Sequence, residues 1–259
     1  MLNLGARLMP DDRFPLNVPR VEPVAHARNP VQVAVCELRF PTLLELEERG
    51  PVILQKRLRK TYPHFEPGTA IGIGPGTAVQ QERRFLFRSK RRDWTVAFRA
   101  SAVSLEASTY TDFPDFLSRL TALLEITASL IDSDFFTRVG LRYINTIPVG
   151  TALNGWINPL LTAPLERGIY GRVNHFWQEV RGDARVGNYS FRHGLNPEPK
   201  DTPEYVLDFD FYEDNVEANA VLDRVSGWNI ECYSFFRWAI GDKTRAFLDN
   251  TPQIVIREG

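Results

Sequence analysis

The chain has 259 residues, 43% of hydrophobic type, with 31 Lys and Arg against 32 Asp and Glu for a net charge of -1. That length and apolar content fill a real core in one large domain or two small ones, which excludes a disordered chain, and the charge balance gives no global drive toward nucleic acid or membrane. Cys36 and Cys232 stand far apart, so neither a zinc knuckle nor a disulfide framework is indicated. The missing basic start with an apolar stretch, and the lack of any apolar run of about eighteen residues, point to a cytoplasmic chain with no membrane contact.

Residues 1–30 hold Pro10, Pro15, Pro19, Pro23 and Pro30 with little periodicity, which predicts an irregular arm draped over the surface or over a partner subunit. Val31 to Phe40 alternates as a strand, with Ala34, Cys36, Leu38 and Phe40 on one face and Val31, Val33, Val35, Glu37 and Arg39 on the other. Thr42 to Tyr62 reads as helix interrupted at Gly50 and Pro51, where proline starts a second piece. Pro67 to Gly76, with Gly68, Gly72, Gly74 and Gly76, reads as a loop, and Arg83 to Ser89 as the next strand.

Trp94 to Ile147 is the clearest stretch. Trp94, Val96 and Phe98 alternate with Thr95, Ala97 and Arg99, and Val103, Leu105 and Ala107 alternate with Ser104, Glu106 and Ser108, which predicts two half-buried strands joined by a tight connection. Asp112 then caps a helix with Pro114 in its first turn, and the apolar stripe from Phe113 and Phe116 to Leu130 and Ile131 must lie on a sheet. Asp132, Ser133 and Asp134 stop it. Phe135 to Ile147 is a third strand, with Val139, Leu141 and Tyr143 opposite Arg138 and Arg142.

Gly150 to Gly171 reads as a connector with a helical turn or two. Val173 to Arg181, Tyr189 to Leu195 and Tyr205 to Tyr212 read as strands, and Val216 to Phe247 as a helix broken near Gly227. The expected architecture is α+β: a twisted, mainly antiparallel sheet in two strand-rich halves, each covered by helix. Residues 31–149 form the first half, 150–172 the connector and 173–259 the second, all within what can be one continuous domain. The order strand, strand, strand, helix occurs in both halves, and Leu105-Glu106-Ala107-Ser108-Thr109-Tyr110 and Leu207-Asp208-Phe209-Asp210-Phe211-Tyr212 occupy the same place in it, which suggests an internal duplication.

Several short words together resemble a sporadically distributed bacterial family of uncharacterised proteins of similar length with no established activity. They are Cys36-Glu37-Leu38-Arg39-Phe40 after the proline arm, Leu105-Glu106 to Tyr110 followed by Phe113 and Phe116, Gly140-Leu141-Arg142-Tyr143-Ile144-Asn145, Leu207-Asp208-Phe209-Asp210, and the late aromatics Phe235, Phe236 and Trp238. The resemblance covers nearly the whole chain. It implies a bacterial accessory protein of patchy distribution, from mobile or defence-related loci, and it assigns no catalytic residue.

Charge is unevenly placed. Residues 53–99 carry eleven basic and three acidic residues, a local charge of +8. Within them Arg83, Arg84, Arg88, Lys90, Arg91 and Arg92 surround Phe85, Phe87 and Trp94, and cations with aromatic faces are what single-stranded nucleic acid needs. The candidate polyanion-binding residues are therefore Arg83, Arg84, Arg88, Lys90, Arg91, Arg92 and Trp94, although period two lets the phenylalanines face the core. Lys56, Arg57, Arg59 and Lys60 need no ligand, because cations favour a helix C-terminus. The loop Gly72-Ile73-Gly74-Pro75-Gly76 lacks the Gly-Lys-Ser/Thr ending of a phosphate cradle. Asp208 and Asp210 share a strand face, and with His175, Glu179 and His193 they are the candidates for a metal-dependent phosphodiesterase, against the simpler reading of a solvated sheet face. Glu37, Glu106 and Arg142 can pair ionically in a sheet-lined cleft. No nucleophile elbow or diagnostic histidine spacing is present.

The leading reading is a non-enzymatic accessory or regulatory protein without cofactor, contacting a nucleic acid, nucleotide or acidic partner through the basic hairpin. The alternatives are the metal-dependent phosphodiesterase and a structural homodimer packed by the arm and by Trp228, Phe235, Phe236 and Trp238.

Overall fold

The computed structural model describes residues 16–73, 79–150, 153–166, 170–171, 173, 175–195 and 203–249. In chain order these form β1 (Val31–Arg39), α1 (Glu45–Glu48), α2 (Gly50–Leu58), β2 (His64–Ile73), β3 (Val79–Arg88), β4 (Trp94–Arg99), β5 (Ala102–Ala107), α3 (Phe113–Ile131) and β6 (Phe135–Pro148). There follow α4 (Pro159–Glu166), β7 (Phe176–Asp183), β8 (Asn188–Leu195), β9 (Glu204–Glu217), α5 (Val221–Ala239) and α6 (Asp242–Asp249). The fold is α+β, built on one antiparallel sheet in the order β2-β3-β4-β5-β1-β6-β9-β8-β7.

The order explains itself from local pairing. β2 to β5 and β7 to β9 are meanders whose neighbours in sequence are neighbours in space, each walking from a sheet edge inward. β1 and β6 fill the middle and pair with each other. Each meander is preceded by a central strand and a short helical stretch and followed by a helix of 19 residues, α3 or α5. Residues 31–131 and 135–239 thus run through the same order, with β6 opening the second run.

α2, α3 and α5 all pack on one face of the sheet. Trp94 and Phe98 of β4 meet Phe116 of α3 and the start of α2 at Gly50, while Phe191 and Phe209 meet Phe235 of α5, with ring centroids 4.5 and 5.2 Å from it. Leu38, Leu105, Leu141 and Phe211 lie fully buried beneath. Asp112 caps α3 as expected, its carboxylate accepting from the Asp115 N–H at 2.8 Å, and Asp132 ends the helix in the left-handed conformation at φ 44°. The arm, over residues 16–30, has no regular structure and lies along α5 and α6. There Val21 N–H donates to Ser234 Oγ, Arg28 N–H to the Leu248 carbonyl, and the Arg28 guanidinium covers the Phe247 ring at 4.4 Å.

Three expectations are corrected. The glycine-rich stretch expected to be a loop runs as strand β2 as far as Ile73, paired along its length with β3. Pro67 is tolerated because β2 is an edge strand, where one side makes no ladder bonds. Residues 74–78 lie outside the described residues. The last helix does not break at Gly227, around which a Cβ would meet open space, but at Ile240, which turns extended (φ -97°, ψ 147°) before Gly241. Of the late aromatics expected to pack a homodimer, Trp228, Phe235 and Phe236 are buried within the chain, while Trp238 is only partly buried, beside Phe235. No helix among the described residues is long and apolar enough to cross a membrane.

Candidate functional site

The sheet face opposite the helices is built from every second residue of the strands. On it β3 contributes Arg84, Leu86 and Arg88, and β4 contributes Thr95, Ala97 and Arg99, because their neighbours Phe85, Phe87, Trp94, Val96 and Phe98 face the core. Register then does what no local pattern shows. Arg99 stands opposite Ala102, Ala102 opposite Arg39 and Arg39 opposite Arg138, while the Phe85–Phe98 pair places Arg84 beside Arg99. Arg84, Arg99, Arg39 and Arg138 form one row across five strands, about 19 Å from β3 to β6 at the usual strand spacing.

The row is held by few acids. Glu37, one step along β1, takes Arg39 Nε at 2.5 Å and Arg99 Nη2 at 3.4 Å, and the Arg138 guanidinium stacks 3.6 Å above the Tyr212 ring. Asp214 of β9 stands opposite Arg138 on the same face, a second acid beside the row. Between Arg84 and Arg99 the small side chains Ala97, Ala102 and Ser104 leave a recess of about 110 Å3 with Glu37 at its rim. Ala97, Thr95 and Ser104 are buried although none of these three helices covers them, because the long arginine and glutamate side chains lean over them.

The structure divides the predicted basic hairpin. Arg84 and Arg88 lie on this open face. Lys90, Arg91 and Arg92 are exposed in the β3–β4 turn, where Arg92 has φ 62°. Arg88 Nε and Arg92 Nη1 are both paired with Glu66, at 3.0 and 2.5 Å. Arg83 is on the helix side, 5.4 Å from the centre of the Phe85 ring. Trp94 is 4% exposed, packed against Phe116 and covered by the Arg119 guanidinium at 4.4 Å, so its ring is no stacking platform. Arg57, in the other basic cluster, donates to the Ile126 carbonyl and Ser129 Oγ and ties α2 to α3. Sequence reasoning missed Arg39, Arg99 and Arg138 as partners of Arg84; their alternation was visible, but the strand order that lines them up was not.

The acidic pair also lies on the open face, and its surroundings are occupied. Asp208 accepts from Arg142 Nε and Nη2, both at 2.7 Å, and Arg192 Nε stands 3.2 Å away. A cation at Asp208 would have to displace two guanidiniums. The Asp210 carboxyl is pushed up by burial, against the pull of Arg138 and Arg142. His193 points to the other side of the sheet, into the core, where its ring lies 2.7 Å from the Tyr205 hydroxyl, so it cannot complete a site with Asp208. His175 is exposed before β7, and Glu179 pairs with Arg181 and Ser190. No group of three acidic, histidine or cysteine side chains among the described residues is placed to hold a metal. Glu37 pairs with Arg39 and Arg99, and Arg142 with Asp208, so Arg142 is not the partner of Glu37 or Glu106 that the cleft reading expected.

Asp208 is thus an ion-pair hub. Asp208→Asn is expected to lower the unfolding free energy by about 2 kcal/mol, the range for charge-assisted hydrogen bonds at a partly exposed site, measured by urea titration. Manganese or magnesium is expected to leave the melting temperature of the unmutated protein unchanged.

No protein-family profile matches this chain, and no curated protein matches it.

Proposed function

We propose that this is a binding protein whose sheet face opposite α2, α3 and α5 grips the phosphates of a single-stranded nucleic acid, with the arginine row as the track and the β3–β4 turn, at the other end of those two strands, as a second positive point. The observation that carries the reading is the recess between Arg84 and Arg99, a phosphate-sized hollow lined by these two arginines and Ser104, with Glu37 at its rim. Guanidiniums suit phosphate because their planar donor fork meets two oxygens at once. With Trp94 in the core, affinity on this reading comes from charge rather than stacking, so binding is tolerant of sequence and strongly salt-dependent. Lys90 and Arg91 add to it from the turn. The row favours a polyphosphate over an acidic protein because its cations repeat in a line.

The experiment is binding of fluorescein-labelled single-stranded RNA and DNA to the wild type and to Arg84→Ala/Arg99→Ala at several salt concentrations. The wild type is expected to lose affinity steeply with salt, and the double variant to reduce the slope of log affinity against log salt by roughly 0.7 for each phosphate no longer neutralised. Salt-independent binding, or an unchanged slope in the variant, overturns the reading. Failure with nucleic acid, combined with salt-sensitive binding of poly-glutamate, would turn it toward an acidic protein.

A further inference from the structure

We propose that the cavity on the other side of the sheet, between α3, α5 and the arm, is a binding site for a neutral, planar heteroaromatic ligand with an amide-like edge of donor and acceptor, of the nucleobase or aromatic carboxamide kind. The cavity holds about 420 Å3, within the range of small-molecule sites. Its floor is Tyr143 and Asn145 of β6 with Phe209 of β9. These residues face the helices, so this site and the arginine row do not overlap. The arm closes it from above, fastened on one side through Val21 and Ser234 and on the other by the Thr146 N–H donating to the Pro30 carbonyl at 3.0 Å.

The lining has no charge to offer. Asp112 spends its carboxylate on the α3 cap, and the His26 ring lies 2.9 Å from Asp249 and 3.0 Å from the Tyr233 hydroxyl. Burial pushes the Tyr110 hydroxyl up to about 12, and pushes the Tyr143 hydroxyl and the Cys232 thiol well above their ordinary values, so all three stay neutral. A charged ligand would leave water with nothing to replace it.

What the lining does offer is two half-used carboxamides. Asn145 Nδ2 donates to the Leu207 carbonyl at 3.3 Å, and Asn229 Oδ1 accepts from the Tyr143 hydroxyl at 3.0 Å. Each bond fixes one end of its amide. Among the described residues nothing takes up the Asn145 Oδ1 or the Asn229 Nδ2, although the two side chains are only 4% and 7% exposed. One acceptor and one donor are therefore left, on side chains that both line the cavity, and neither atom is sealed off from it. A ligand edge carrying a donor and an acceptor satisfies both. Phe113, Phe209 and Tyr233 supply aromatic walls for the ring that bears it.

The test is titration of the full chain with nicotinamide and with adenine as neutral probes, and with benzoate as a charged control of similar size, read by saturation-transfer NMR and thermal shift. At least one neutral probe is expected to bind and benzoate not to. Asn229→Asp keeps the oxygen that Tyr143 needs and replaces the free donors by a carboxylate, so it should weaken binding about tenfold or more. Should that variant not fold, Ala25→Trp on the exposed arm fills the cavity without touching the core and should abolish binding. Arg84→Ala should leave it intact, which separates this site from the phosphate track. Failure of both neutral rings at millimolar concentration, equal binding of benzoate, or binding undiminished by Ala25→Trp overturns the proposal.

Discussion

Trp94→Ala is expected to lower the unfolding free energy by about 3–5 kcal/mol, a large part of the roughly 5–15 kcal/mol that holds a domain together. The indole is 4% exposed, with Phe116 at 5.8 Å between ring centroids on one side and Arg119 over its face. Truncation removes the area buried against α3 and leaves a hole where strand β4 meets the helix, and Arg119 is deprived of the ring on which it rests. A urea titration gives the size of the effect. The same variant tells core from ligand platform, because polyanion binding per folded molecule, measured in the cold, should match that of the wild type. A fall in stability below about 1 kcal/mol together with abolished binding would mean that Trp94 serves the ligand instead.

The second large effect is one of pH. His193 is 1% exposed, stacked on Phe191 at 4.9 Å and hydrogen-bonded to Tyr205, and burial lowers its pKa to about 4. In the unfolded chain a histidine titrates near 6.5. Between these values the unfolded chain binds a proton that the folded protein refuses, so stability rises with pH across that window. The His193 contribution is whole above about pH 6.5 and drains away as pH falls toward 4, by about 3 kcal/mol at 1.36 kcal/mol per pH unit. Asp210 and Glu231, whose carboxyls burial pushes up, work in the opposite direction from the ordinary carboxylate range upward, and so within the same window. The clean measurement is therefore the difference between wild type and His193→Gln in urea midpoints at pH 7 and pH 4.5. The variant should be less stable at pH 7, where the Tyr205 contact is altered, and should lose less on acidification. Parallel pH curves would show that the imidazole accepts its proton without unfolding.

Much of the fold is written locally. Asp112 with Pro114 sets the start of α3, Asp132 its end, and alternation of Trp94, Val96 and Phe98 with Thr95, Ala97 and Arg99 sets both strand and face. Each of these signals acts within a few residues, through a cap, a fixed φ or the period-two pleat, so it is legible one segment at a time. The two local errors have the same character. Pro67 and the glycines of β2 break a strand in isolation, yet an edge strand tolerates them, and Gly227 costs a helix little when α5 is held by the burial of Trp228, Phe235 and Phe236.

The candidate sites were far less legible. The basic composition of residues 53–99 draws attention to Arg84 and Arg88, and Trp94 counts with them only because aromatic and cationic residues are adjacent in sequence. Adjacent residues on a strand face opposite sides, so the sheet sends Trp94 inward and the arginines outward. Asp208 and Asp210 do share one face, but which side chains meet them depends on β6 and β8. Arg142 comes from 66 residues away in sequence, and His193 faces the opposite side.

By itself the sequence determined the α+β class, the antiparallel strands and α3 with its caps, because those follow from periodicity and capping along the chain, whereas the bounds of α5 did not come out of it. Only the tertiary structure decided that β1 and β6 sit side by side between two meanders. That pairing aligns Arg39, Arg99 and Arg138 with Arg84 on one face, and brings Asn145 and Asn229 to one cavity on the other. Register across a sheet and packing of helices over it are set by the sum of many distant apolar contacts, which no short stretch of residues records.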